Sequence, residues 1–434
     1  MAEDTGEVPT TAPKGLWARI KASPLAHLGP GLITGVADDD PSGIATYSQA
    51  GAQFGLNMLW TMPLAYPLMS AVQSMCARIG RVTGQGLAAN IREAFPPSVL
   101  RIVVGLLVVA NTLNIAADIA AMGEAGELVT GLDRRWMACG FAAISLGLQV
   151  FVPYHRYVQY LKWLTLSLLA YVAVLFTVHV PWDEVARRTV WPQFRLDGPA
   201  AAMIVGIFGT TISPYLFFWQ ASEEVEDLAR APDGRSLRAD PAAAPAELRR
   251  IRWDTWSGML YSDASAYFII LATAVTLNAA GVRDIETAAQ AALALKPIAG
   301  PFAFLLFTVG LLGVGLIGVP VLAGSAAYGV AEAMGWRFGL EKRLWEAPGF
   351  YGVIIASTLG GLAIQFLPVN PMKALFWSAV INGVVAVPLV AVVVLLARKP
   401  SVMGPHVASR SLAVLGWVTV AVMAAAAVRM LWPG

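Results

Sequence analysis

Charge is scarce in this sequence. Of its 434 residues only 13% are Asp, Glu, Lys or Arg, while 57% are apolar. A soluble domain of this size carries nearer a quarter charged residues, so a soluble globular fold is excluded. Cysteine is rarer still. Cys76 and Cys139 are the only two, both in or beside apolar stretches, which excludes a disulfide framework and leaves two inert buried thiols. Histidine occurs four times, as His27, His155, His179 and His406. All four sit at or beyond the ends of apolar runs, so no imidazole is expected in the interior. There is no phosphate-binding glycine loop, no metal-hydrolase spacing and no nucleophile triad. No enzyme activity and no resident cofactor is therefore expected. The formal net charge is only +2, and the basic residues lie at the ends of apolar runs, so no nucleic-acid partner is expected either.

What the chain has in abundance is apolar runs of about 20 residues, the length that crosses a bilayer. Eleven spans are expected, at 28–55, 57–77, 99–126, 136–153, 157–180, 199–221, 253–279, 301–331, 350–369, 373–397 and 411–431. With the N-terminus in the cytoplasm, 21 of the 30 Lys and Arg residues fall on the inner side and 9 on the outer. Positive charge belongs inside, so a cytoplasmic N-terminus and an external C-terminus follow. Compact loops and short tails suggest a bacterial inner membrane. Residues 1–27 read as a cytoplasmic tail with a short interfacial helix near 16–25 and without the features of a cleaved signal peptide. The rest, 28–431, reads as one transmembrane domain. The polar stretch 223–252 reads as a partly disordered cytoplasmic loop. Its acids Glu223, Glu224, Glu226 and Asp227 are either a solvated face or an attractor of cations.

Two spans contain Pro among polar residues. Residues 29–43 read GPGLITGVADDDPSG, and residues 206–220 read GIFGTTISPYLFFWQ. Pro removes a backbone donor and the adjacent Gly and Ser tolerate non-helical angles. Non-helical backbone at membrane depth persists only where it is packed in protein or lines a cavity. Interrupted spans at matching places in two halves point to a transporter's substrate site, and these two open successive five-helix units. Lone prolines such as Pro63, Pro67, Pro320 and Pro388 read as kinks. Three consecutive acids, Asp38, Asp39 and Asp40, stand at the first break. Each acid at the bilayer centre costs about 2.5–3.5 kcal/mol. Asp118 and Asp263 fall in further spans with no comparably deep Lys or Arg. Carboxylates without bases form a negative well, which suits a cation. Asn382 reads as either a packing hydrogen bond or a further polar ligand, and the small residues of 310–318 as a close-packing helix face.

The run from Gly29-Pro-Gly31 through Asp40-Pro41-Ser42-Gly43 to Gln49-Ala50-Gly51 resembles the first-helix signature of the Nramp divalent-metal transporters. Ser213-Pro214-Tyr215 stands in register with that family's sixth-helix Met-Pro-His motif, and the likeness continues through Asp118 and Tyr261-Ser262-Asp263. The resemblance implies an all-α polytopic fold with the leucine-transporter-like 5+5 inverted repeat and broken helices 1 and 6. The first repeat would run over about 28–180, the second over about 199–397, with an extra helix at 411–431. It also implies a metal site of Asp40, the Ala37 carbonyl and the Thr210 carbonyl. At its other two ligand positions this chain departs from the family: Gly43 replaces an asparagine and Ser213 a methionine. Tyr215 and Gln220 replace two histidines, and Ala121 a third-helix glutamate.

Those departures have a physical reading. A thioether selects soft transition metals. Its loss, with hydroxyls at Thr210, Thr211 and Ser213, leaves an all-oxygen and roomier site, suited to Mg²⁺ that keeps part of its water. The pattern is most like the Nramp-related magnesium transporters. The expected function is alternating-access transport of a divalent metal cation, Mg²⁺ first and Mn²⁺ also, as substrate and without proton coupling. Asp38, Asp39, Asp118, Asp263, Tyr215 and Gln220 are vestibule or relay candidates. A proton-coupled Mn²⁺/Fe²⁺ importer is the alternative within the family. An amino-acid or amine transporter on the same fold is the alternative from another class. Membrane lipid is the other expected partner; the sequence is silent on oligomeric state.

Overall fold

Proline decides where the helices of this chain begin. The computed structural model describes residues 29–153, 156, 160–161, 164–193, 196–231, 234–368 and 370–432. The expected N-terminal tail, His27 and His155 lie outside the described residues. Among the described residues every regular element is helical. Pro30, Pro41, Pro97, Pro214, Pro348 and Pro371 each stand at the first position of a helix, where the missing N–H is no loss. Pro67, Pro320 and Pro388 lie inside uninterrupted helices. The lone prolines are therefore tolerated, whereas Pro41 and Pro214 mark real breaks.

The first span is α1 (Pro30–Asp38) followed by α2 (Pro41–Phe54). Then come α3 (Thr61–Thr83), a short α4 (Leu87–Ala94), α5 (Pro97–Thr130) and α6 (Arg134–Phe151). The fifth span is described only in part, with α7 (Leu169–Val174) as its α-helical end, and a surface helix α8 (Trp182–Val190) follows. The sixth span is again double: α9 (Gly198–Thr211) and α10 (Pro214–Arg230). Helices α11 (Ala244–Thr273), α12 (Ala303–Met334), α13 (Pro348–Ile364), α14 (Pro371–Arg398) and α15 (Arg410–Leu431) complete the chain. Helix thus occurs in all eleven expected regions, and both interrupted spans are interrupted. Among the described residues, six helical stretches are long and apolar enough to cross a membrane by length and composition. The half-helix α1 has nine residues, about 14 Å at 1.5 Å per residue, so the first crossing needs both halves.

Glycine sets how the broken first span is held. A Cβ on Gly31 would lie 2.6 Å from the Thr255 amide, and one on Gly35 would overlap the Gly258 backbone. Helix α1 therefore lies backbone to backbone on α11. The small face of α12 packs likewise: Gly315 admits the Met122 side chain, and a Cβ on Gly318 would stand 3.1 Å from the Asp40 Cβ. Filling such contacts costs about 1–3 kcal/mol each.

The stretch 223–252 is a correction to the sequence reading. It is helical at both ends rather than a loop throughout: α10 continues to Arg230 and α11 begins at Ala244. Nor is its acidic face solvated, since Glu223, Glu224 and Glu226 are buried. Paired charge explains both. Arg250 meets Glu224 at 2.6 Å and Glu247 at 3.1 Å. Arg81 meets Glu247 at 2.8 Å and Asp227 at 3.1 Å. Opposite charges at helical spacing, closed by arginines from two other turns, make helix cheaper than coil here.

Candidate metal centre

Each break frees backbone that a continuous helix would consume. In the first, Asp39 (φ −81°, ψ 57°) leaves the helix and Asp40 (φ −72°, ψ 172°) is extended before Pro41. In the second, Ile212 (φ −111°, ψ 58°) and Ser213 (φ −82°, ψ 138°) do the same before Pro214. The two breaks therefore have nearly the same backbone form.

They also face one another. Tyr215, one residue after the second proline, lies with its hydroxyl 3.3 Å from both the Ala37 carbonyl and Asp40 Oδ2. Ser42 Oγ stands 3.5 Å from Thr210 Oγ1, and the Tyr47 hydroxyl 3.1 Å from Thr211 Oγ1. Three side-chain bridges thus cross from one broken span to the other.

Asp40 sits at the centre of this crossing, 1% exposed. Its Oδ1 accepts from Ser42 Oγ at 2.6 Å and from the Gly43 amide at 2.8 Å, so Asp40 caps the N-terminus of α2. Its Oδ2 accepts from Asn114 Nδ2 at 2.9 Å and from Tyr215. All four donors are neutral. A hydrogen bond to a charged group contributes about 1.5–3 kcal/mol, so four of them make a buried carboxylate tolerable while leaving its charge uncompensated.

Asp38 and Asp39 turn the other way. Ser262 Oγ on α11 lies within hydrogen-bond reach of Asp38 Oδ2 and 3.0 Å from Asp39 Oδ1. One O–H can serve only one of them at a time. Among the described residues, no hydrogen-bond partner meets the remaining oxygens, Asp38 Oδ1 and Asp39 Oδ2, or Asp263 Oδ1 on the next residue of α11. Asp118 on α5 is fully buried; it lies beside the Ser42 amide and Asp40, its carboxylate met by no side chain and separated from Asp40 by Gly318. Among the described residues, no base contributes to the surroundings of Asp38, Asp39, Asp40, Asp118 or Asp263.

Of the candidate ligands, the structure brings Asp40, the Ala37 carbonyl and Thr210 together, with Tyr215 across them. Gly43 contributes an amide to Asp40. The extra room expected from its missing side chain is absent in this conformation: a Cβ there would meet Thr210 Oγ1 and Tyr47 Cε2, each at 3.2 Å. The Ser213 hydroxyl folds back onto its own helix, donating to the Gly209 carbonyl at 2.6 Å and the Thr210 carbonyl at 2.8 Å. Only its lone pairs, and one lone pair of that carbonyl, stay available. Gln220 and Asn382 are buried, and neither amide atom of either has a hydrogen-bond partner among the described residues. Among the described residues, no three His, Cys, Asp or Glu side chains converge into a metal cage. A hard cation here would meet one carboxylate, hydroxyls, carbonyls and whatever water it carries.

Sequence reasoning missed Asn114 and Ser262, and gave Ser42 no role. A signal for the first exists. Asn111, Asn114 and Asp118 are spaced i, i+3 and i+7, one polar stripe on an apolar helix. Asn111 uses its place in that stripe to tie α5 to α12, donating to Leu322 O at 2.8 Å and Ser325 Oγ at 2.7 Å.

Helix α1 is tied to α11 where it begins. Asp254 Oδ2 accepts from the Gly31 amide at 2.7 Å, and Arg250 lies 3.9 Å from that same carboxylate oxygen. The acid–base lattice of α3, α10 and α11 surrounds this point.

Known proteins share this architecture. The crystal structure of an Eremococcus coleocola manganese transporter, in complex with an aromatic bis-isothiourea substituted compound, superposes with a TM-score of 0.76 at 18% identity, covering 98% of this chain and 89% of that one. Mhp1, a nucleobase-cation-symport-1 family transporter in a closed conformation, superposes at 0.60 with 14% identity, over 94% of this chain and 88% of Mhp1. In sequence, the divalent metal cation transporter MntH of Deinococcus radiodurans is 28% identical over 432 residues, 98% of this chain and 92% of the relative. The family model for natural resistance-associated macrophage protein-like proteins matches residues 31–433. With the paired helix breaks and Asp40 between them, that match places the chain: it belongs to the Nramp family.

Proposed function

We propose that this integral membrane protein carries a divalent metal cation by alternating access, Mg²⁺ foremost and Mn²⁺ also, down its gradient and without proton coupling. One observation carries the reading. A fully buried carboxylate, Asp40, stands where both broken spans are interrupted, and only neutral donors meet it. Asp40 supplies the main charge. The Ala37 and Thr210 carbonyls, with the lone pairs of Thr210 and Ser213, orient the ion or its waters. Asn114 and Tyr215 hold Oδ2 until the ion displaces them. The Deinococcus relative is named for divalent metals and the Eremococcus one for manganese, which supports a cation of this class. Mg²⁺ is favoured over softer metals because no thioether or imidazole meets Asp40, and because oxygen donors with retained water suit a cation that dehydrates reluctantly. We place the N-terminus in the cytoplasm, the C-terminus outside and the protein in a bacterial inner membrane.

The test is uptake of Mg²⁺, Mn²⁺ and Ca²⁺ into proteoliposomes with a pH probe inside, for wild type and Asp40→Ala. Mg²⁺ and Mn²⁺ flux without acidification, abolished in the variant, is the expected result. Undiminished flux in Asp40→Ala would remove the acid from its role. A second reading, proton-coupled Mn²⁺ or Fe²⁺ import, is favoured by Asp118, whose buried carboxylate lacks a side-chain partner. Metal-driven acidification that disappears in Asp118→Asn would establish it.

A further inference from the structure

We propose that a cavity at the membrane end of α3, α11 and α15 is a binding site for the head group of an anionic phospholipid. The cavity holds about 430 Å³ and is lined by Arg78, Arg249 and Arg252 with no acid among its lining residues. Ser74, Ser409 and Ser411 add hydroxyls, while Leu248, Ile251 and Trp256 form an apolar wall. Three guanidinium groups in one cavity repel each other unless an anion lies between them. Ser74 supplies an independent sign of a ligand: it is 5% exposed, lines the cavity, and its hydroxyl has no hydrogen-bond partner.

The residues that line the cavity from α11 follow helical spacing. Leu248, Arg249, Arg252 and Trp256 fall on one face, while Arg250 and Asp254 on another face hold Glu224 and the Gly31 amide. Arg78 is anchored by donating to the His406 and Val407 carbonyls at 3.2 and 3.1 Å, so its position is fixed before a ligand arrives. Ser409 caps α15, its hydroxyl accepting from the Leu412 amide at 3.3 Å, and a helix N-terminus favours an anion. An amphiphile is chosen over a soluble phosphate because the apolar wall continues a membrane-spanning bundle and would seat an acyl chain. The membrane end is the one that the distribution of Lys and Arg assigns to the cytoplasm, where basic cavities between helices meet anionic lipid. Occupation would press on the very turn of α11 that holds the start of α1 through Asp254 and the Gly31 amide, which makes transport sensitive to lipid composition.

The experiment uses the full-length protein and reads lipid retention, so its outcome is independent of which metal is carried. Protein is reconstituted in phosphatidylcholine vesicles with stepwise addition of phosphatidylglycerol, and retained lipid is counted by native mass spectrometry. Wild type is expected to retain phosphatidylglycerol selectively. Arg249→Gln/Arg252→Gln is expected to weaken retention by about fivefold for each arginine removed. Ser411→Trp, which fills the cavity without removing charge, is expected to weaken it too, and decides the matter if the double variant fails to fold. Equal retention by wild type and either folded variant would overturn the proposal. So would full competition by glycerol phosphate in the buffer, which would assign the cavity to a soluble anion.

Discussion

The two breaks are alike in backbone and opposite in chemistry. Both leave two residues outside the helix, both restart at proline, and both place an extended residue before that proline. Yet the first presents three acids, and the second presents hydroxyls and an aromatic ring. The difference teaches that the break itself is an architectural device, which any sequence with Gly, Ser and Pro can build. Charge was placed at only one of the two. A single charged break facing a neutral one gives an ion a defined anchor and leaves the opposite side free to be replaced by water.

If the anchor depends on its surroundings rather than on charge alone, moving the acid across the gap should fail. The variant Asp40→Asn/Ser213→Asp keeps one carboxylate at the crossing. It loses the Ser42, Gly43 and Asn114 donors that hold Asp40, because residue 213 turns back onto Gly209 and Thr210. Loss of a buried charge from its partner costs about 2–5 kcal/mol, so metal uptake should fall on the order of 100-fold, and no better than in Asp40→Asn alone. Recovery of uptake in the double variant would mean that the two breaks are interchangeable.

A smaller effect is expected from the bridge between them. Tyr215→Phe removes the one hydroxyl that reaches both Ala37 and Asp40, and a hydrogen bond to a charged group is worth about 1.5–3 kcal/mol. Because the ion displaces this donor, its removal should tighten metal binding in the site while slowing closure around the empty carrier. The measurable outcome is a KM about tenfold lower together with a reduced maximal rate. A higher KM would show instead that the hydroxyl stays on the ligand side of the site.

Much of this was legible because the signals are local. The breaks at Pro41 and Pro214 and the acids at the first of them are readable residue by residue. Partners from distant spans were not. Asn114 could have been found from its helical spacing with Asp118, but Ser262 could not, since its role exists only because glycines bring α1 onto α11. The acids at the end of α10 were misjudged for a related reason: polar composition alone reads as loop, whereas Arg81 on α3 and Arg250 on α11 pair with Asp227 and Glu224 there. The expected roominess at Gly43 failed because Thr210 and Tyr47 occupy the space. A missing side chain does not leave a hole when neighbours can close over it.

The smallest effect should come from the neutral break. Ser213 spends its hydroxyl on Gly209 and Thr210, so Ser213→Ala removes no donor from Asp40 and should change Mg²⁺ uptake by less than about twofold, an exposed-lone-pair contribution of a few tenths of a kcal/mol. Ser213→Met is more informative at similar cost in rate. It frees the Thr210 carbonyl and puts a soft donor beside it, which favours transition metals over hard cations. Competition of Mn²⁺ against Mg²⁺ in one vesicle preparation should then shift toward Mn²⁺ by about fivefold, roughly 1 kcal/mol. If the ratio stays where it is in wild type, residue 213 does not face the ion, and selectivity between hard and soft metals rests on Asp40 and the carbonyls alone.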